Sequence, residues 1–336
     1  MRSARLEMAL ESGAVVVSPT AQICVMRPRI GDDLSAFTTD RVTVRTGFRP
    51  DHDYFASQGY RTDGDKTSTG PFALVVVCVP RAKAEARAMI SEAATLLAPN
   101  GHIILDGQKT DGIETAIKDC AALGLNVGET LTKAHGKLAL VTPTPAAMPA
   151  LHLWAAQRIQ VEDGFVTAPG VFSADGPDRA SVLLAAALPE KMPPHVADLG
   201  AGWGYLSRAI LARPGVTQLD LIEAEAEALA CARLNITDPR AQFHWADATS
   251  FKPKTFWNAV VMNPPFHISR DADTSLGARF IAAATRGLSP GGTLWMVANR
   301  HLPYDKVLAP LFREVEDLGG DKSFRLTRAS YPVRAR

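Results

Sequence analysis

Three observations predict an α/β protein made of two tandem copies of one doubly wound domain. They are the chain length, a regular alternation of strand and helix patterns in the second half, and an echo of that pattern in the first. A chain of 336 residues suits two domains of ~100–200 residues each. With 46% hydrophobic and 21% charged residues it can fill two cores, which excludes a disordered or fibrous class.

In the second half, strands are expected at 195–200, 217–223, 241–247, 256–263 and 292–298. Helical patterns fall at 204–213, 225–236, 274–288 and 303–312. This alternation calls for a parallel sheet with crossover helices on both faces. Runs at 314–318 and 323–331, joined through a short Gly-Gly-Asp turn, add an antiparallel terminal hairpin and complete seven strands.

The first half repeats this in letters. Leu97-Ala-Pro-Asn-Gly101 before HIILDG matches Leu288-Ser-Pro-Gly-Gly292 before TLWMVA. The apolar run Phe72–Pro80 takes the place of Trp257–Pro265, and a helix followed by KLALV parallels the closing helix and FRLTR. The chain therefore reads as a duplicated domain; the alternative is two unrelated α/β domains that share Pro-Gly turns before a strand. Three prolines in Val141–Pro149 break both helix and strand, so the domains are drawn as 1–150 and 151–336, with 151–160 a bridging helix.

Thirty-six Lys and Arg stand against 35 Asp and Glu, a net charge of +1, which removes the strongly basic signature of many nucleic-acid binders but leaves room for a local groove. No apolar run approaches the ~20 residues of a membrane span, and Glu7 and Glu11 interrupt the stretch a signal peptide would need. A soluble, cytoplasmic protein without a membrane partner is expected. Cys24, Cys78, Cys120 and Cys231 are far apart, and His102, His135, His152, His195, His244 and His301 share no ligand spacing, so no metal is expected.

The sharpest local signal is Asp198-Leu-Gly-Ala-Gly-Trp-Gly204, closing a strand and opening a helix. Gly200, Gly202 and Gly204 let the backbone turn tightly and let a ligand approach the main chain. A dinucleotide fingerprint would need glycine where Tyr205 stands, and Asp198 would repel a pyrophosphate but favour a ligand carrying a cation. Glu223 closes the next strand, where a carboxylate can accept both hydroxyls of a ribose. Asp247 closes the one after and could accept from an adenine amine. Three acids at the carboxyl ends of consecutive strands point to the ligand edge of an open α/β sheet. Asn263-Pro264-Pro265-Phe266-His267 follows the fourth strand. The double proline forces a rigid, extended exit. There the Asn263 carboxamide oxygen and a proline carbonyl can accept from one NH2 group while Phe266 stacks on a planar ring.

These motifs resemble the Rossmann-like class I methyltransferases that use S-adenosyl-L-methionine to modify amino nitrogens. With PGVFSADGPDRASVLL at 169–184 and ANRHLPY at 298–304, the chain more specifically resembles the ribosomal small subunit methyltransferase C family over most of 60–332. The resemblance implies transfer of a methyl group to the N2 amine of a guanine in 16S rRNA, with ribosomal RNA or the small subunit as partner and the protein a monomer. It assigns Asp198, Gly200, Gly202 and Gly204 to the methionine part of the cofactor, Glu223 to the ribose, and Asp247 with Ala248 to the adenine. Asn263, Pro264, Pro265 and Phe266 would form the catalytic amine site, Asn263 also bordering the cofactor and His267 shaping the pocket. It also implies a degenerate first domain. Residues 1–150 hold no comparable Gly-rich turn, and Cys78-Val79-Pro80 stands where Asn263 and the double proline would be, so that domain is expected to bind no cofactor and to dock RNA or stabilise its neighbour. Arg325, Arg328, Arg334 and Arg336 form a basic tail that could touch phosphates. A protein glutamine or DNA adenine methyltransferase with the same pocket, or a silent RNA-binding ribosome-assembly factor, are the alternatives.

Overall fold

The computed structural model describes residues 2–265 and 274–334. It divides into two compact units, Met1–Arg158 with Ala168–Gly170, and Ile159–Thr167 with Val171–Arg336.

The first unit runs α1 (Arg2–Glu11), β1 (Ile23–Met26), β2 (Val42–Arg45), α2 (Arg49–Ser57), β3 (Arg61–Asp63) and β4 (Phe72–Cys78). It continues with α3 (Lys83–Thr95), β5 (Leu97–Gln108), α4 (Ile113–Ala122), β6 (Asn126–Lys133), β7 (Gly136–Thr142) and α5 (Met148–His152). The sheet order is β3-β2-β1-β4-β5-β7-β6, parallel except for the last two strands. The run FALVVVC of β4 is almost wholly buried because both faces are covered: Val75 and Val77 enter one core, Leu74, Val76 and Cys78 the other.

The bridging helix expected over 151–160 is only the five residues of α5, which start earlier. Pro149 sits in its first turn, where a missing N–H costs nothing, and the chain then turns and becomes extended. The boundary accordingly falls after Arg158 rather than at 150.

The second unit opens with a small antiparallel pair, β8 (Ile159–Gln160) and β9 (Val166–Thr167), then α6 (Arg179–Ala187) and β10 (His195–Leu199). It proceeds through α7 (Tyr205–Leu211), β11 (Gln218–Glu223), α8 (Ala226–Asn235), β12 (Ala241–Trp245) and β13 (Trp257–Met262). It ends with α9 (Thr274–Gly287), β14 (Leu288–Asn299), α10 (Asp305–Leu308), β15 (Phe312–Gly320) and β16 (Phe324–Pro332). The helix expected over 303–312 shrinks to α10 because Pro303 and Pro310 bracket it.

The second sheet, β12-β11-β10-β13-β14-β16-β15, repeats the strand order of the first. The repetition reaches an irregularity. Pairing shifts between Phe72 and Leu74 beside the Leu-Ala-Pro-Asn-Gly segment, and between Trp257 and Ala259 beside Leu-Ser-Pro-Gly-Gly. The internal echo in the sequence is thus a repeated register shift in two sheets of one design.

Candidate active site

In the second sheet the order reverses between β10 and β13, and the crevice at such a switch point is where open α/β sheets take ligands. Leu199 pairs with both Ile222 and Met262. Gly200, Glu223 and Asn263 therefore follow at one level of the carboxyl edge. Asp247 does not close its strand as expected. β12 stops at Trp245, and Asp247 lies in the following turn, where its Oδ1 accepts from the Thr249 N–H and Oγ1, both at 2.8 Å. That local bond competes with the ladder and ends it. Ala248, beside it, is buried in the core.

The Gly-rich turn needs its glycines for different reasons. All three have positive φ, +75° at Gly200, +55° at Gly202 and +94° at Gly204. A Cβ at Gly202 would meet none of the described residues within 4 Å, whereas one at Gly204 would lie 2.8 Å from Ile236 Cδ1. Gly202 borders open space; Gly204 lets α7 begin against α8. The Gly202 N–H donates to Glu223 Oε2 (2.8 Å), and Glu223 Oε1 accepts from the Glu225 N–H (2.7 Å). Burial raises the Glu223 carboxyl above its ordinary range, and these backbone donors work against that. Each oxygen still has acceptor capacity for a further hydroxyl.

Asp198, two residues before Gly200, is fully buried. Its Oδ2 accepts from the Ser207 hydroxyl at 2.6 Å, and its Oδ1 has no partner among the described residues. Burial pushes its carboxyl up to about 7, with the nearby Glu223 charge adding to the rise.

The most informative side chain is Asn263. Its Nδ2 donates to Asp178 Oδ2 and to Ser181 Oγ, each at 2.9 Å, while its buried carbonyl Oδ1 accepts from none of the described residues. Asp178 caps α6 by accepting from the Ser181 N–H at 3.0 Å. Pro264 is buried and Pro265 exposed. Phe266 and His267 lie outside the described residues.

An open approach at Gly202 and two orphaned buried acceptors, on Asp198 and Asn263, fit a ligand that supplies donors. An unsatisfied buried acceptor costs roughly 1–3 kcal/mol, which such donors would recover.

Sequence reasoning missed Asp178, Ser181 and Asn235. The first two carried a signal, an Asp-x-x-Ser pattern ahead of an apolar run that reads as a helix cap. Asn235 carried none. Its Oδ1 accepts from the Val166 N–H (2.7 Å), and its Nδ2 donates to the carbonyls of Val166 (2.9 Å) and Trp203 (2.8 Å), tying the Gly-rich turn to β9.

Other candidates have structural roles. His195 Nε2 and His244 Nε2 lie 2.9 and 3.1 Å from the two oxygens of Asp220, which also accepts from Trp257 Nε1. Burial alone would raise the Asp220 carboxyl, but bonds from His244, Trp257, His195 and Gln218 outweigh it and hold the group well below its usual range. Among the described residues no group of three or more His, Cys, Asp or Glu could hold a metal ion, and no helix is long and apolar enough to cross a membrane. The basic tail is engaged by neighbouring acids of the hairpin and α10: Arg325 pairs with Asp305 and Asp317, and Arg328 with Glu316. Arg334 donates to the Leu288 carbonyl, and Arg336 lies outside the described residues.

In the first unit, Met26 pairs with Arg45 and Val77 as Leu199 pairs with Ile222 and Met262. That register puts Val25 where Asp198 stands, Arg27 in place of Gly200, Thr46 in place of Glu223 and Cys78 in place of Asn263.

A doubly wound sheet with this turn, these edge groups and a rigid Asn-Pro-Pro exit defines a class I methyltransferase domain, and the family model of the methyltransferase small domain matches residues 162–328. A ribosomal RNA small subunit methyltransferase C of Shewanella amazonensis is 28% identical over 309 residues, 88% of this chain and 90% of that protein. The same-named protein of Pseudomonas paraeruginosa is 30% identical over 274 residues, 80% of this chain and 82% of that protein. The solved T. thermophilus 16S rRNA N2 G1207 methyltransferase, in complex with AdoMet and guanosine, matches with a TM-score of 0.77 at 25% identity, covering 94% of this chain and 89% of that one. The chain belongs to the ribosomal RNA small subunit methyltransferase C family.

Proposed function

We propose that the second unit transfers a methyl group from S-adenosyl-L-methionine to the N2 amine of a guanine in 16S rRNA. The observation that carries this reading is the state of Asn263: its NH2 is held from behind and, among the described residues, nothing donates to its carbonyl. An exocyclic amine is the donor that such an acceptor and the following Pro264 carbonyl would take together. Relatives that span most of this chain are named as methyltransferases of this RNA, and the matched solved structure holds AdoMet and guanosine.

When bound, the cofactor supplies a methyl group already activated on a positive sulfur. The chain supplies position. Asp198 and the turn at 200–204 hold the methionine part, Glu223 takes the ribose hydroxyls, and Asp247 with Ala248 takes the adenine. Asn263 and Pro264 orient the amine lone pair toward the methyl, Pro265 keeps the exit rigid, and Phe266 stacks on the base. Holding reactants in near-attack geometry is worth up to about 7–11 kcal/mol of barrier, so little acid–base help is required. The target guanine must be unpaired or flipped out, because its N2 edge otherwise pairs.

The first unit, lacking the turn, the acids and the Asn at equivalent positions, binds no cofactor and serves as an RNA-docking or stabilising domain. The protein works in the cytoplasm as a monomer on the small ribosomal subunit or its RNA. Mass-spectrometric mapping of 16S and 23S rRNA from a deletion strain tests the proposal. Loss of one N2-methylguanosine from 16S rRNA is expected. Intact 16S modification, or a lost methyl in 23S rRNA, DNA or protein, would refute it.

A further inference from the structure

We propose that Asp178 and Ser181 are positioning residues that set the orientation of the Asn263 carboxamide, so that its oxygen rather than its nitrogen faces the target amine. The inference rests on the role given to Asn263 above. A carboxamide is nearly symmetric in shape, and its two orientations present opposite hydrogen-bonding characters. Pro264 fixes the backbone beside it but does nothing to choose between them.

Asp178 and Ser181 make that choice. A carboxylate accepts only, so it admits Nδ2 and rejects Oδ1; Asp178 Oδ2 and Ser181 Oγ both lie 2.9 Å from that nitrogen. Turned the other way, Asn263 would put its oxygen against the carboxylate and offer two N–H donors to an amine that is itself a donor. The two holders are in turn fixed: Asp178 accepts from the Ser181 N–H as the cap of α6, and Ser181 is buried. A helix cap that also fixes a carboxamide explains why an acid is used here, since any good cap residue would serve α6 alone.

The test separates capping from orientation. Asp178→Ser keeps a capping hydroxyl but removes the carboxylate, and Ser181→Ala removes the second acceptor. Each full-length variant is assayed for melting temperature, cofactor affinity, and kcat and KM on unmethylated 30S subunits or 16S rRNA, whichever wild type uses faster. The expected result for Asp178→Ser with Ser181→Ala is a kcat at least ~10-fold lower, with cofactor affinity within about threefold. Asp178→Asn with Ser181 intact, which keeps the cap but can turn an N–H toward Asn263, should give a kcat between those of wild type and the double variant at an unchanged melting temperature. In an Asn263→Ala background the same two changes should have no further effect on kcat, because their action passes through Asn263. An undiminished kcat in Asp178→Ser with Ser181→Ala, or an equal further loss in the Asn263→Ala background, would overturn the positioning role and leave the function standing. Full turnover in Asn263→Ala alone would instead remove the reading on which this inference rests.

Discussion

Glu223 closes β11 and Gly202 lies at the crest of the turn after β10, yet a 2.8 Å bond from the Gly202 N–H to Glu223 Oε2 joins them across the ligand edge. One carboxylate therefore shapes the turn and faces the same edge as the ribose it is proposed to hold. Glu223→Ala should raise the dissociation constant for S-adenosylmethionine at least ~30-fold, and Glu223→Gln should be intermediate because it retains one acceptor oxygen. Calorimetry on both variants checks this. Equal wild-type affinity in both would assign Glu223 to the turn alone.

Gly202→Val should abolish cofactor binding in a protein that still melts cooperatively. The side chain would enter space where nothing stands within 4 Å, and the fold would lose only the ~1–2 kcal/mol of a left-handed non-glycine residue. Gly204→Ala adds a clash with Ile236 to the same backbone strain, so its melting temperature should fall further. Normal binding by Gly202→Val would show that no ligand approaches there.

The fold was legible in the sequence where patterns were long, and the residues proposed for the site stood out where residue chemistry was unusual. The second sheet, its terminal hairpin and the repeated Leu-x-Pro-x-Gly segments followed from periodicity and turn chemistry. β1 and β2 did not, since four residues each are too few to show a period. Glu223 and Asn263 were singled out because an acid at a strand end and a double proline in a ladder's path are both improbable as filler, and the structure brings both to one level of the carboxyl edge. Asp178 was hidden because its bond to Asn263 spans 85 residues, and no local pattern encodes such a distance.

Cofactor affinity should weaken below about pH 7. The Asp198 carboxyl titrates at about 7 in the ligand-free protein, raised by burial, so at lower pH it is protonated, and binding a cationic ammonium must expel that proton. The limiting loss is about tenfold per pH unit. The sign for folding follows the same rule. The folded state holds this proton more tightly than an unfolded Asp, so the contribution of Asp198 to stability declines as pH rises from about 4 to about 7 and is level above that. Titration calorimetry between pH 5.5 and 7.5 should show the weakening for S-adenosylmethionine but not for 5′-methylthioadenosine, which lacks the amino group. A parallel pH response of both ligands would place the ammonium elsewhere.

Titration of the intact chain should give one cofactor per molecule. At the equivalent edge of the first unit, Val25, Thr46 and Cys78 replace Asp198, Glu223 and Asn263, and none of them offers a carboxylate or a carboxamide oxygen. A stoichiometry of two would show a working second site despite those replacements.

The most direct measurement is methyl transfer from labelled S-adenosylmethionine to unmethylated 30S subunits and free 16S rRNA, with the product nucleoside identified by mass spectrometry, for wild type and Asn263→Ala side by side. Wild type should produce N2-methylguanosine at one position. Asn263→Ala should bind the cofactor within a few-fold of wild type but turn over at least ~100-fold more slowly, the few kcal/mol expected of an oriented hydrogen bond at a reacting centre. A methyl group on any other nucleoside, or wild-type turnover in Asn263→Ala, would contradict the account.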